Sequence, residues 1–436
     1  MQAALLDKLR TVVGAPHLLT GVELSPYVVE GRTPEAAVFP GTVEEVRSVV
    51  ALAADAGVPV IPWGGGTAAA FGTPAARTGL VLGLKRLDKI IEHEPGDLTV
   101  TVQAGRTVAA LQSALGRQWL SLDPADAARA TIGGVIATNA SGPRRHLYGT
   151  ARDLLIGVTV ITGDGTLVRG GGKVVKNVAG YDLPKLFVGS CGTLGIIVEL
   201  TVKLRPRPDD ERLVAVPFEG LKDAGVAVRA LMGSDLIPNA VELLDGEALR
   251  GLGLMGAPAA LIVGFDGLAE QVTWQVHELG RLIGGDAHEP RPVSSDVWSR
   301  LGVAATQAFA APAAVMRLCV LPTQVADVME QGAAIAKAHG LTSAWSAHAG
   351  VGVLTAALAE GEGRPDTGSV ADVLRAWRST ARACSGYAVL ESAPQAVKEA
   401  VGVWDDAGAA GRIMERIKRE LDPKNLLNPG RFVSNI

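Results

Sequence analysis

Aromatic residues occupy only 4% of the 436 positions, against 53 glycines. That balance excludes an aromatic-rich core and points to tight turns and loops whose backbone faces a large polar ligand. Cysteine is scarce as well: Cys191, Cys319 and Cys384 are far apart and odd in number. They cannot build a disulfide framework, a zinc site or an iron–sulfur site, so reduced thiols in a cytoplasmic protein are expected. Any iron–sulfur cluster would belong to a partner.

No charge of one sign dominates. The 41 basic and 45 acidic residues are mixed along the chain for a net −4, which leaves no field to hold nucleic acid or an anionic membrane. Long hydrophobic runs are missing too, since nowhere do about 18 consecutive residues read as apolar throughout. Met1 to Gly14 interrupts its leucines and valines with Asp7, Lys8 and Arg10, which fits a surface helix and not a secretory signal. A soluble protein without a membrane span is expected, and its length favours two domains over one core.

What is present is α/β patterning. Thr42-Val43-Glu44-Glu45 reads as a capping box before a helix carrying Val46, Val49, Val50 and Ala53, with Gly57 as its stop. Val58 to Pro62 reads as a strand that runs into Trp63-Gly64-Gly65-Gly66-Thr67, a ligand-binding position at a strand's carboxyl end. Thr107 caps a second helix through Leu111 and Leu115. Asp123 to Gly149 reads as a long irregular segment, too rich in small and polar residues to be core. Strands follow at Leu154 to Thr162, with a Gly163-Asp164-Gly165 hairpin turn, and at Leu194 to Leu204. Arg205 to Asp210, with two prolines and several charges, reads as a domain boundary. Beyond it, roughly Leu213 to Gly285 and Val315 to Ala393 share a strand-helix-strand-strand-helix-strand order. Ala409 to Leu421 alternates Ile413, Met414 and Ile417 with charges, as an amphipathic helix does. These readings give an α+β chain with domains over 1–207 and 208–400 and a helix and tail over 401–436.

The glycines exclude two common nucleotide sites. After Gly66 comes Thr67-Ala68-Ala69-Ala70 in place of the Lys-Ser/Thr of a Walker loop. Gly189, Gly192 and Gly195 precede a strand, whereas a Rossmann fingerprint follows one and opens a helix. Four small-residue loops remain: Gly64 to Thr67, Thr131 to Gly134, Asn139 to Gly142 and Gly189 to Gly195. They are either four independent turns or a distributed nest of backbone amides around one pyrophosphate.

In this order, Pro62 to Thr67, Thr131 to Ala140, Tyr148-Gly149 and Gly189 to Ile197, closed by Asn428-Pro429-Gly430-Arg431, resemble the FAD-binding domain of the vanillyl-alcohol oxidase and p-cresol methylhydroxylase superfamily. The resemblance implies a two-subdomain FAD domain followed by an α+β cap domain with an antiparallel sheet. It places FAD on Gly64, Gly65, Gly66, Thr67, Thr131, Gly133, Gly134, Ala137, Asn139 and Gly142, with Gly192, Gly195, Ile197 and Asn428 meeting the flavin. Gly170 to Leu183 and the ending Asn428 to Phe432 resemble the FAD-binding subunits of bacterial glycolate oxidases more narrowly. Such subunits work with a second flavoprotein subunit and an iron–sulfur subunit to oxidise glycolate and feed the quinone pool. The implied setting is the cytoplasm, with peripheral contact to the inner membrane through partners.

Departures from the family shape the chemistry. Covalent members carry a histidine where Gly66 stands, so the resemblance implies noncovalent FAD. Related 2-hydroxyacid dehydrogenases carry a metal-binding His-x-x-Gly-Asp-Gly-Asn-x-His run, matched here by His348-Ala349-Gly350-Val351-Gly352-Val353-Leu354, which lacks the aspartate, the asparagine and the second histidine. His348 and Glu391 offer two ligands at most, so no metal is expected. His348 is either a general base for the substrate hydroxyl or a remnant on a strand. Arg317, Arg412 and Arg431 are candidate partners of a substrate carboxylate, and Tyr181-Asp182 either orders a loop beside the flavin or packs and caps a helix. Three functions stay open: a 2-hydroxyacid-oxidising flavin subunit, an electron-relay or structural flavin subunit without a substrate site, and a free-standing FAD-linked oxidase.

Overall fold

The computed structural model describes residues 1–173, 181–254, 256–284, 288–359 and 367–436. Half of the Gly170 to Leu183 stretch that carries the narrower resemblance, 174–180, lies outside the described residues. Two compact units are formed: Met1–Ser141, Thr150–Arg207 and Asp406–Ile436 make the first, and Gly142–Gly149 with Pro208–Asp405 the second.

The first unit holds a small mixed sheet in the order β1 (Leu18–Leu19), β2 (Ala36–Val38), β4 (Leu80–Gly83), β3 (Val60–Trp63), with β2 and β3 both parallel to β4. Helix Val43–Ala56 connects β2 to β3. The Thr42 hydroxyl accepts the Glu45 N–H at 3.1 Å, Glu45 reaches back to the Gly41 N–H at 2.7 Å, and left-handed Gly57 ends the helix. Val46, Val49, Val50 and Ala53 are fully buried beneath it; at about 1.5–3 kcal/mol per buried valine, that face anchors the helix. An antiparallel sheet follows in the order β5 (Ile90–Glu94), β6 (Thr99–Gln103), β10 (Ile196–Lys203), β8 (Leu155–Ile161), β9 (Leu167–Gly171), and β7 (Gln118–Trp119) pairs with β11 (Arg205–Pro206). Asp164 closes the β8–β9 turn by accepting from the Thr162 hydroxyl and the Thr166 N–H.

One expectation fails here. The segment from Asp123 to Gly149 is not irregular throughout: Ile132–Thr138 is a helix whose Ile132, Val135 and Ile136 lie in the core. The i, i+3, i+4 apolar spacing after a threonine cap outweighs the helix cost of Gly133 and Gly134.

In the second unit the Val315 to Ala393 stretch forms in the expected order, whereas in the first stretch helix Gly246–Leu252 separates the second and third strands and the fourth strand, Arg291–Val293, lies beyond Gly285. The strands are β12 (Asp210–Phe218), β13 (Ala240–Asp245), β14 (Ala259–Gly267), β15 (Arg291–Val293), β16 (Ala314–Cys319), β17 (Thr342–His348), β18 (Val353–Ala359) and β19 (Tyr387–Ser392). They build one antiparallel sheet ordered β15-β12-β14-β13-β17-β18-β16-β19. Each half runs fourth-first-third-second, and the halves join through their second strands. Helices Leu221–Met232, Ala269–Ile283, Val325–Ala338 and Thr367–Ala383 bury Val228, Leu279, Met329 and Trp377 on one face. Among the described residues no helix is long and apolar enough to cross a membrane.

Candidate functional site

Five segments distant in sequence meet around the glycine loop of the first unit. A β-carbon at Gly64 would stand 2.2 Å from the Thr131 hydroxyl, and one at Gly65 1.8 Å from the Arg129 carbonyl oxygen, so only glycine fits. Thr131 caps its helix by accepting the Gly134 N–H, and Gly133 donates its N–H to the Ala104 carbonyl at 2.9 Å. At the other end Asn139 turns left-handed, and the carbonyls of Ile136 and Ala137 accept the N–H groups of Gly189 and Cys191 at 3.0 and 2.7 Å. Cys191 and Gly192 also hold positive φ. Asn428 Nδ2 donates to the Cys191 carbonyl at 2.8 Å, while a β-carbon at Gly192 would meet Asn428 and Pro62 at 3.2 Å. The tail then runs alongside β3, with Val60 N–H donating to Leu426 and Asn428 N–H to Val60. The circuit closes where it began.

Of the residues expected to hold FAD, this circuit brings together Gly64, Gly65, Thr131, Gly133, Gly134, Ala137, Asn139, Gly192 and Asn428, with Gly66 against the Trp63 ring and Thr67 exposed just beyond. Gly195 packs against Phe187, and Ile197 is buried at a bulge of β10. Gly142 belongs to the second unit. The buried Oδ1 of Asn139 has no hydrogen-bond partner among the described residues. A cradle poor in side chains, rich in backbone N–H groups and offering an unused buried acceptor suits a dinucleotide with a hydroxylated chain.

The second unit gathers its titratable groups at one end of the sheet. Glu242 on β13 faces His348 on β17, and His348 Nδ1 donates to Glu242 Oε1 at 2.7 Å. Glu242 is 1% exposed, so the carboxylate fixes Nδ1 as the protonated nitrogen. Register carries the same face onward through Val353 to Cys319 and Tyr387, and two residues along β16 to Arg317, which pairs with Glu391 at 3.2 Å. Tyr387 is pushed up to about 12, by burial first and then by the Cys319 thiol beside it. Helix Arg145–Tyr148 lies at this end of the sheet: Arg144 grips Glu211 with two nitrogens and Tyr148 donates to Asp266. His146, its imidazole held below the usual range by burial, sits against Gly350.

His348 and Glu391 are not brought together; they lie three strands apart, about 14 Å at ordinary strand spacing. Among the described residues no three His, Cys, Asp or Glu side chains converge to hold a metal. Arg431 is buried, near Glu30 and hydrogen-bonded to the Ala69 carbonyl, and Arg412 is exposed. Tyr181 is 92% exposed, so it is not packed, and Asp182 precedes helix Leu183–Phe187 without a capping hydrogen bond. The helix Ala410–Leu421 corrects its pattern: Ile413 is 62% exposed and the buried residues are Gly411 and Lys418. Glu242, Lys418 and Asp422 were not singled out from sequence. A lone acid inside Val241-Glu242-Leu243-Leu244 and an i, i+4 Lys–Asp pair were the available signals.

Residues 34–171 match the FAD binding domain family, and residues 207–432 match the C-terminal domain of FAD linked oxidases. The chain is 29% identical to the glycolate oxidase subunit GlcD of Bacillus subtilis, over 92% of its length and 89% of that protein's. It is 29% identical to a D-lactate dehydrogenase of Archaeoglobus fulgidus, covering 94% and 95%. A crystal structure of p-cresol methylhydroxylase with substrate bound superposes with a TM-score of 0.77 at 19% identity, covering 98% of this chain and 96% of that one, which establishes the shared fold. The cofactor is FAD, and the two-domain α+β architecture is that of p-cresol methylhydroxylase-type flavoproteins.

Proposed function

Since the chain belongs to the FAD linked oxidases, we propose that it oxidises glycolate or a similarly small 2-hydroxyacid to the 2-oxoacid at noncovalently held FAD. The relatives named for glycolate and D-lactate support the substrate class. The cradle residues from Gly64 to Asn428 hold the cofactor through their backbone, with Gly142, Gly195 and Ile197 assisting, and Gly66 offers no side chain for a covalent link. In this reading the protein is cytoplasmic and passes electrons through a second flavoprotein subunit and an iron–sulfur subunit, which bring it to the inner membrane.

Oxidation of a 2-hydroxyacid takes a hydride from C2 and a proton from the hydroxyl. Bound FAD supplies the two-electron acceptor. The observation that carries the rest is the His348–Glu242 pair: Nδ1 is committed to the carboxylate, and Nε2 has no protein partner among the described residues. His348 takes the hydroxyl proton on Nε2, and Glu242 orients the ring and stabilises the imidazolium. Of the three candidate arginines, Arg317 shares the sheet face with His348, and it holds the substrate carboxylate.

Anaerobic addition of glycolate or D-lactate to the purified chain tests this. Bleaching of the flavin absorbance by the chain alone is expected. One observation favours the relay reading, namely that Glu391 already engages Arg317; bleaching that appears only after partner subunits are added would select it. Rapid oxygen consumption when the same substrates are added in air, without any partner, would select a free-standing oxidase.

A further inference from the structure

We propose that Lys418 is a positioning residue for the flavin, acting through a buried charge that locks the C-terminal tail to the Cys191–Gly192 turn. Lys418 is 5% exposed and Asp422 1%. The ammonium has three donors, and all are used: Asp422 Oδ2 at 2.7 Å, the Thr193 carbonyl at 2.8 Å and the Leu427 carbonyl at 2.9 Å. Asp422 in turn accepts the N–H groups of Leu426 and Leu427 at 3.0 and 2.8 Å. Gly163 packs so tightly on this carboxylate that a β-carbon would lie 2.3 Å from it.

A methionine would fill the same space without desolvating a charge, so bulk does not explain a lysine here. Its three directed bonds do. One carbonyl lies two residues past Cys191, and the other immediately precedes Asn428. Those two residues are joined by the Asn428 Nδ2 to Cys191 bond, and Cys191, Gly192 and Asn428 all hold positive φ. Such backbone persists only where its surroundings over-determine it. Lys418 therefore sets the orientation of the peptides that meet the flavin. Tail docking and FAD binding are then linked, each strengthening the other by the same factor.

The test compares Lys418→Met with the double variant Lys418→Met/Asp422→Leu, which replaces the pair by apolar groups and keeps the fold when the single variant is too unstable. FAD affinity is read by quenching of flavin fluorescence on titration of apoprotein. Hydrogen exchange of the peptides covering 186–196 and 422–432 is followed with and without FAD. The double variant is expected to keep the parent's secondary structure by circular dichroism while binding FAD roughly tenfold or more weakly. FAD should slow exchange in both peptides of the parent but not of the variant. A double variant with parental FAD affinity overturns the proposal, as does a parent whose tail exchange ignores FAD. A parent that binds no FAD at all would instead overturn the cofactor assignment.

Discussion

The Lys418–Asp422 pair of the first unit and the His348–Glu242 pair of the second are both buried, yet they distribute their hydrogen bonds differently. The ammonium ends every donor on the protein, and its carboxylate is further satisfied by two backbone N–H groups. The imidazole engages one nitrogen and leaves the other without a protein partner among the described residues. A saturated pair can hold geometry but has no site for a proton. A pair with one nitrogen in reserve can exchange a proton with whatever binds beside it.

Breaking the saturated pair has the largest expected effect. Lys418→Met leaves Asp422 charged in the interior, and its cost in unfolding free energy is about 3–5 kcal/mol. Urea denaturation checks this; a loss below about 1 kcal/mol would mean that water reaches the carboxylate. The unsaturated pair should respond in rate rather than in stability. His348→Gln keeps a polar group facing Glu242 but accepts no proton, so flavin reduction by glycolate should slow by about 10²-fold with an unchanged melting temperature. Equal losses of rate and stability would make His348 a packing residue. Glu242→Gln removes the charge that supports the imidazolium, and a decline of about tenfold in the rate of flavin reduction is expected.

How far the sequence revealed these regions follows from the range of the interactions. Helix Val43–Ala56 was readable because its cap, apolar stripe and stop lie within sixteen residues, Thr42 to Gly57. The glycine cradle was readable as small residues in order, although Thr131 to Gly134 opens a helix where a loop was expected. Glu242 and His348 are 106 positions apart, and their meeting depends on β13 lying beside β17. Nothing in either local pattern specifies that neighbour. Lys418 was hidden for the opposite reason. Its helix reads as amphipathic with isoleucines inward, yet the buried face carries the lysine, because carbonyls from two other segments supply what an apolar core would not.

A third carboxylate sharpens the comparison by having no ion-pair partner within salt-bridge distance among the described residues. Asp245, at the end of β13, accepts the Ala248 N–H at 2.9 Å and the Trp345 N–H at 3.0 Å. Burial outweighs both donors and raises its carboxyl to about 7. The folded state therefore binds a proton that the unfolded chain has released, and the sign follows directly. Stability from this group is complete below about pH 4 and declines as pH rises toward 7, by at most about 1.4 kcal/mol per pH unit, becoming flat above. Asp245→Asn cannot titrate, so the variant should lose that slope between pH 5 and 7 while keeping a side-chain acceptor for the Ala248 N–H at the start of helix Gly246–Leu252. Urea midpoints at pH 5, 6, 7 and 8 measure it. If parent and variant change in parallel, the two amides hold Asp245 ionised, and burial without a direct ion pair would then be as benign here as burial with one at Asp422.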